Sequence, residues 1–169
     1  MAETTSRERL QPSLLDRLTD NAPETRRESF DQQTLTFPHL RQAVMRDIAW
    51  LLNTTNLATT DDLAGLPLVM KSTVNYGVPG LAGLAGTARR LQTLEAGIAE
   101  AIRAFEPRIR PETLVVRLRE NPLDQPMPAV VFEIEGELWA QPVPEQLFLE
   151  TSIELETRLA AVTDARTRG

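Results

Sequence analysis

AVVFEIEGELWA, residues 129–140, alternates in polarity: Val130, Phe132, Ile134 and Leu138 share one parity, and Val131, Glu133, Glu135 and Glu137 share the other. A period of two sends successive side chains to opposite faces of an extended chain. The segment therefore predicts a strand with one buried face and one wet face. The pattern recurs on both sides of it. In TLVVRLR (113–119) Leu114, Val116 and Leu118 share a face. In QLFLETSIELE (146–156) Leu147, Leu149, Ile153 and Leu155 alternate with Phe148, Glu150, Glu154 and Glu156. The proline-rich stretches NPLDQPMP (121–128) and QPVPEQ (141–146) suit the connections, because proline cannot donate to a ladder.

Upstream the period changes. In TFPHLRQAVMRDIAWLLNTT (36–55), with Thr36 as a candidate cap, Leu40, Ala43, Val44, Ile48, Leu51 and Leu52 recur at steps of three and four, as one face of a helix requires. His39 falls in its first turn, where an unshared surface imidazole is expected. A second helix, capped by Thr87, carries Leu91, Leu94, Ile98, Ala101, Ile102 and Phe105. Two helices followed by a meander give an α+β fold: two main helices packed on one face of a three- to four-stranded, mainly antiparallel sheet.

The segment between the helices, PLVMKSTVNYGVPGLAGLAG (67–86), reads as a short strand, a turn at Asn75–Tyr76–Gly77, and a close-packed connection. Its glycines at 77, 80, 83 and 86 are not a phosphate loop, since no Lys-Ser/Thr follows and the strand–G-x-G-x-x-G–helix order is absent. Residues 1–30 are expected to form a flexible arm with a short helix at 13–18, SLLDRL. Ser13 would cap it, and Leu14, Leu15 and Leu18 would lie on one side, for docking or for packing on the chain's own domain. Residues 31–156 form one expected domain, and 157–169 an expected frayed tail.

At 169 residues the chain can bury a sizeable core. The absence of cysteine excludes disulfides and thiolate metal sites, and the single histidine is too few for an imidazole zinc site or a histidine relay. No metal and no cofactor is expected. No apolar run approaches the ~20 residues of a membrane span, so no direct membrane insertion is expected. MAETTSRERLQPS lacks the basic-then-apolar order of a signal peptide, which makes the cytoplasm the expected compartment. The net charge of −6 is concentrated: residues 129–156 hold seven acids and no base. Such a block argues against contact with a phosphate backbone, so no nucleic acid is expected.

FEPRI (105–109) closes the second helix with unusual chemistry. Glu106 lies at the negative end of the helix dipole, Pro107 stops the helix, and Arg108 follows. Two residues apart, the two charges do not face each other on a helix, and proline makes direct pairing less expected still. Either the triplet is ordinary helix termination, or a rigid corner presents an acid and a planar cationic fork to a partner.

The order SLLDRL, LRQAVMRDIAWLLNTT, STVNYGVPGL, IAEAIRAFEPRI, VFEIEGELWA, LETSIELET resembles the lysozyme-related baseplate proteins: the TssE-type subunits of bacterial type VI secretion systems and their relatives in contractile phage tails. The similarity runs from about Ser13 to Thr157, and Glu106, Pro107 and Arg108 match the family's Glu-Pro-Arg motif. The resemblance implies a structural wedge component that starts assembly of the contractile sheath. Its implied partners are other wedge subunits (TssF, TssG and TssK types) and sheath subunits (TssB and TssC types). The Glu-Pro-Arg corner would contact a helical bundle of neighbouring wedge proteins, and strand 146–156 would be the edge for strand addition. The implied place is a cytoplasmic baseplate docked at the inner-membrane complex. Trp139 and Phe148 share the parity of the glutamates and are candidate interface aromatics, unless Pro142 and Pro144 reset the register and bury one of them.

No catalysis is expected. Phage-type lysozymes carry an Asp or Cys about nine positions after the catalytic Glu. Here Glu106 meets Val115 at that offset, Glu133 meets Pro142, and no glutamate meets an Asp. A free-standing adaptor of the same fold that blocks a regulatory partner is the alternative reading.

Overall fold

The computed structural model describes residues 13–19, 24, 36–80, 88–119, 129–139, 144–154 and 156–165. Among these residues four α-helices and four strands follow in chain order. They are α1 (Leu14–Leu18), α2 (Phe37–Leu52), α3 (Pro67–Met70), α4 (Ala88–Phe105), β1 (Val115–Leu118), β2 (Ala129–Leu138), β3 (Glu145–Glu154) and β4 (Ala160–Asp164). The strands form one antiparallel sheet in the order β1-β2-β3-β4. The longest pairing joins β2 and β3 from Ala129↔Glu154 to Leu138↔Glu145.

The buried part of one face of this sheet is apolar except for Thr151. Val116, Phe132, Ile134, Leu138, Leu147, Leu149, Ile153 and Ala160 are buried on it. The stripes of α2 (Leu40, Val44, Ile48, Leu51, Leu52) and α4 (Leu94, Ile98, Ala101, Ile102) close over that face in a single core. α2 lies against β4 and α4 against β1, with the two helices touching. Each fully buried Leu, Ile or Phe contributes roughly 1.5–3 kcal/mol, so the predicted stripes account for the architecture.

Four expectations need correction. The stretch 67–76 is not a strand: Pro67 opens α3, and a 3₁₀ turn at Thr73–Asn75 follows. Proline at the first position of a helix loses no bond, whereas in a ladder it would. Residues 160–164 are a strand and not a frayed tail, since Ala160 is buried and Val162 packs on the core. β3, the expected edge, therefore has β2 on one side and β4 on the other. His39 is not unshared: its Nδ1 meets the Thr36 hydroxyl at 3.0 Å, and Thr36 makes no side-chain bond to the helix backbone. Thr87, Leu155, Pro142 and the arm 1–12 lie outside the described residues.

Among the described residues the edges are β1 and β4, and they differ. The Leu118 amide of β1 donates to Glu95 of α4 at 2.7 Å, and Arg103 of α4 donates to the Leu114 carbonyl at 3.4 Å. In β4 the Asn53 side chain, at the C-cap of α2, reads the backbone of Ala160 as a strand would. Ala160 donates to its Oδ1, and its Nδ2 donates to the Ala160 carbonyl, each at 2.9 Å. Arg41 of α2 reaches the other end of β4 at Asp164 (3.1 Å) and also pairs with Glu145 of β3.

The outer face of the sheet is less acidic than the sequence suggests. Arg117 stands opposite Glu133, Arg119 reaches Glu150 at 2.8 Å, and Arg110 approaches Glu137 at 3.6 Å. On the inner face Thr151 is fully buried, and its hydroxyl has no hydrogen-bond partner among the described residues. Thr151→Val should therefore raise stability by about 1 kcal/mol, because it removes an unsatisfied group and keeps the shape. A urea melt checks it, and a loss of similar size would mean that the hydroxyl is satisfied.

Candidate partner-binding corner

α4 ends at Phe105, yet the Glu106 amide still donates to Ile102 at 2.9 Å, which places Glu106 directly beneath the last turn. Pro107 then turns the chain, and the Ile109 amide closes back on the Glu106 carbonyl at 3.2 Å. The corner is stitched to the end of β2 by the Trp139 amide, which donates to the Arg108 carbonyl at 2.7 Å.

The turn reverses the expectation that Glu106 and Arg108 do not meet. That rule holds along a helix, and both residues lie beyond one. The Glu106 carboxylate is 3% exposed and takes a fork from Arg108: Nε at 2.6 Å on Oε1 and Nη2 at 2.5 Å on Oε2. The Arg108 amide also donates to Oε1 at 3.1 Å. Nη2 further reaches Asp47 Oδ2 of α2 at 2.5 Å. Burial opposes the Arg108 charge, but the hydrogen bonds and charges of Glu106 and Asp47 outweigh it. The guanidinium is held well above the ordinary arginine value.

The ion pairs continue outward. Asp47 accepts from Arg46 Nε at 2.9 Å, and Arg46 donates to Asp16 of α1 at 2.6 Å. Asp16–Arg46–Asp47–Arg108–Glu106 is thus a chain of alternating charge running from a half-exposed helix to a buried carboxylate. Arg46 also lies over the Trp50 ring, 5.0 Å from its centroid, a cation–π arrangement. Hydrogen bonding to Asp16 raises Arg46 above its usual value, against partial desolvation. The Ser13 hydroxyl donates to Asp16 at 2.6 Å. For Asp16, partial burial pushes the carboxyl up, and the bonds from Ser13 and Arg46 more than offset it. The net displacement is below the ordinary aspartate value.

Beside the charges runs an apolar groove of about 410 Å³, lined by Leu15, Trp50, Leu51, Tyr76, Phe105 and Pro107 among others. Tyr76 and Phe105 meet edge to face at 5.2 Å. Burial, and then the charges of Asp47 and Glu106, raise the Tyr76 phenol above its ordinary value.

Of the residues expected at a site, the structure groups Glu106, Pro107, Arg108 and Leu15 around this groove, with Trp139 (57% exposed) bonded to the corner through its backbone. Leu14 and Leu18 are 70% and 75% exposed and do not line the groove. Phe148 stands opposite Glu135 on the outer sheet face, half-buried, so neither aromatic is turned into the core. Sequence reading missed Arg46, Asp47, Trp50 and Tyr76. Arg46, Asp47 and Trp50 fall on the polar side of α2, and a tryptophan on a polar face was the available signal.

The Asp16 contact is pH-dependent. A carboxylate whose pKa is lowered by folding stabilises the fold fully above its unfolded value, about 3.9, and that contribution is lost as the pH falls through the lowered value. Below about pH 4, Trp50 emission in a Trp139→Phe background should shift as α1 leaves Arg46, with helical circular dichroism retained. Emission unchanged until global unfolding would show that Asp16 does not hold α1.

A sequence model of the family described as baseplate wedge protein gp25 matches residues 38–143. No curated protein and no solved structure matches. The matched span begins in the first turn of α2, contains Asp47, Glu106, Pro107 and Arg108, and extends just past β2. With most of the chain matched, including both helices that build the corner, the protein belongs to the baseplate wedge protein gp25 family and is a baseplate component of a contractile injection machine.

Proposed function

We propose that this chain is the TssE-type wedge subunit of a bacterial type VI secretion baseplate, with a structural and not a catalytic role. It joins wedge subunits of the TssF, TssG and TssK types at the Glu106–Pro107–Arg108 corner. It also offers the sheath subunits (TssB and TssC types) a sheet edge for strand addition. Its place is the cytoplasmic baseplate docked at the inner-membrane complex. Among the described residues no helix is long and apolar enough to cross a membrane.

The observation that carries this reading is the pairing of a locked charge cluster with an open apolar groove. Arg108 is positioned by two carboxylates, and among the described residues its Nη1 has no acceptor, so one donor remains for a carbonyl or carboxylate of a partner. Trp50 (51% exposed) and Pro107, also exposed, supply the apolar wall that a helix bundle would cover. Both Glu106 oxygens accept from Arg108, the opposite of a general acid aimed at a sugar. For strand addition the favoured edge is β4, because α4 side chains hold β1 at Leu118 and at Leu114 just before it, whereas Asn53 holds β4 only at Ala160.

Co-purification of Trp50→Ala with the neighbouring wedge subunits tests the corner. The change removes an exposed side chain, so the melting temperature should hold while partner affinity drops about tenfold or more. Undiminished binding by a folded Trp50→Ala chain would place the interface elsewhere.

A further inference from the structure

We propose that α1 is a displaceable latch, seated on the corner until a partner helix of the same chemistry takes its place. This rests on reading the corner as a partner-binding site. α1 has five residues and none is buried, so neither its length nor a core contact keeps it in place. Its attachments are Leu15 at the groove, 45% exposed, and the Asp16–Arg46 ion pair, whose side chains are 17% and 33% exposed. Water competes for such a pair, and it contributes little.

The latch uses the features a partner would need. It places one apolar side chain, Leu15, on the groove that Trp50, Tyr76 and Phe105 also line, and a carboxylate one residue later on Arg46. Arg46 is already shared with Asp47 and stacked on Trp50, and its Nη1 is taken by Asp16, so a partner carboxylate directed at that nitrogen competes with Asp16 for it. Occupancy is therefore mutually exclusive. An amphipathic partner helix with several apolar residues and an acid at the matching turn fills the groove more completely than Leu15 alone. Displacement also releases Leu15 from the groove to join Leu14 and Leu18, which are already exposed while α1 is seated.

The test uses the full chain, whose lack of cysteine allows a single pair of spin labels at Arg17→Cys and Thr60→Cys, both exposed positions. The otherwise unaltered chain should give one narrow distance. Asp16→Arg, which repels Arg46, should give a broad one, and Asp16→Asn an intermediate. Wedge subunits added to the labelled chain should broaden the distance as well. They should bind Asp16→Arg about fivefold more tightly, since the closed population no longer reduces the apparent affinity. A complex that keeps the narrow distance, or weaker binding by Asp16→Arg, overturns the latch and leaves the corner reading standing. Failure of every form to bind a wedge subunit sinks the corner reading and the displacement with it.

Discussion

Arg108→Ala should lower stability by about 3–5 kcal/mol in a urea titration, a large share of what a domain of this size possesses. The substitution leaves Glu106, 3% exposed, with its charge buried and its fork removed, and deprives Asp47 of a cation. Glu106→Gln combined with Arg108→Ala should recover a substantial part of that loss, because a neutral amide costs less to bury than an unpaired carboxylate. Arg108→Lys should fall between, since an ammonium cannot span both oxygens of Glu106 and Asp47 together. If Arg108→Ala melts within 1 kcal/mol of the unaltered chain, the fork does not support the fold. The size of the expected loss also explains why Trp50 and not Arg108 is the side chain to alter when partner binding is measured.

Gly77→Ala should be nearly as damaging, at about 3 kcal/mol or more. Gly77 has φ +124°, where an L side chain is strained, and an added Cβ would lie 2.4 Å from the Thr54 carbonyl oxygen. That oxygen accepts from the Val78 amide at 2.9 Å, and Asn56 donates back to Val78 at 3.0 Å, so the overlap opens the crossing that ties the end of α2 to the segment entering α4. Gly65→Ala is the control: nothing lies within 4 Å of its Cβ position, and its change should stay within about 0.5 kcal/mol. Equal melts for the two variants would mean that the crossing relaxes at no cost.

The core was legible because its signal is periodic. Leu40 to Leu52 and Leu94 to Ile102 repeat as helices, Phe132 to Leu138 and Leu147 to Ile153 as strands, and all four stripes are buried as read. β4 escaped because AAVTD offers small side chains and an acid, and its burial is supplied by α2. The edge assignment failed with it, since sheet order depends on whether a strand follows. The corner was half legible. FEPRI marked the place, but the Glu106–Arg108 fork needs the chain to leave the helix, and Asp47 joins from 61 positions away. Asn53 and Asn75 gave no warning either. Asn75, 7% exposed, accepts from the Ala58 amide and donates to the Met70 carbonyl, bonds between loops that no periodicity encodes.

The two grips of α2 on β4 have a mechanical meaning. Arg41 holds Asp164 and Asn53 holds Ala160, so helix and strand run antiparallel and are fastened at both ends. Twelve residues of helix advance about 18 Å and four of strand about 13 Å, a difference that the reach of the arginine covers. A pull applied to β4 is then divided between its ladder with β3 and the shaft of α2, the same shaft that carries Arg46, Asp47 and Trp50. Tension at the sheet edge and load at the corner travel through one rigid rod.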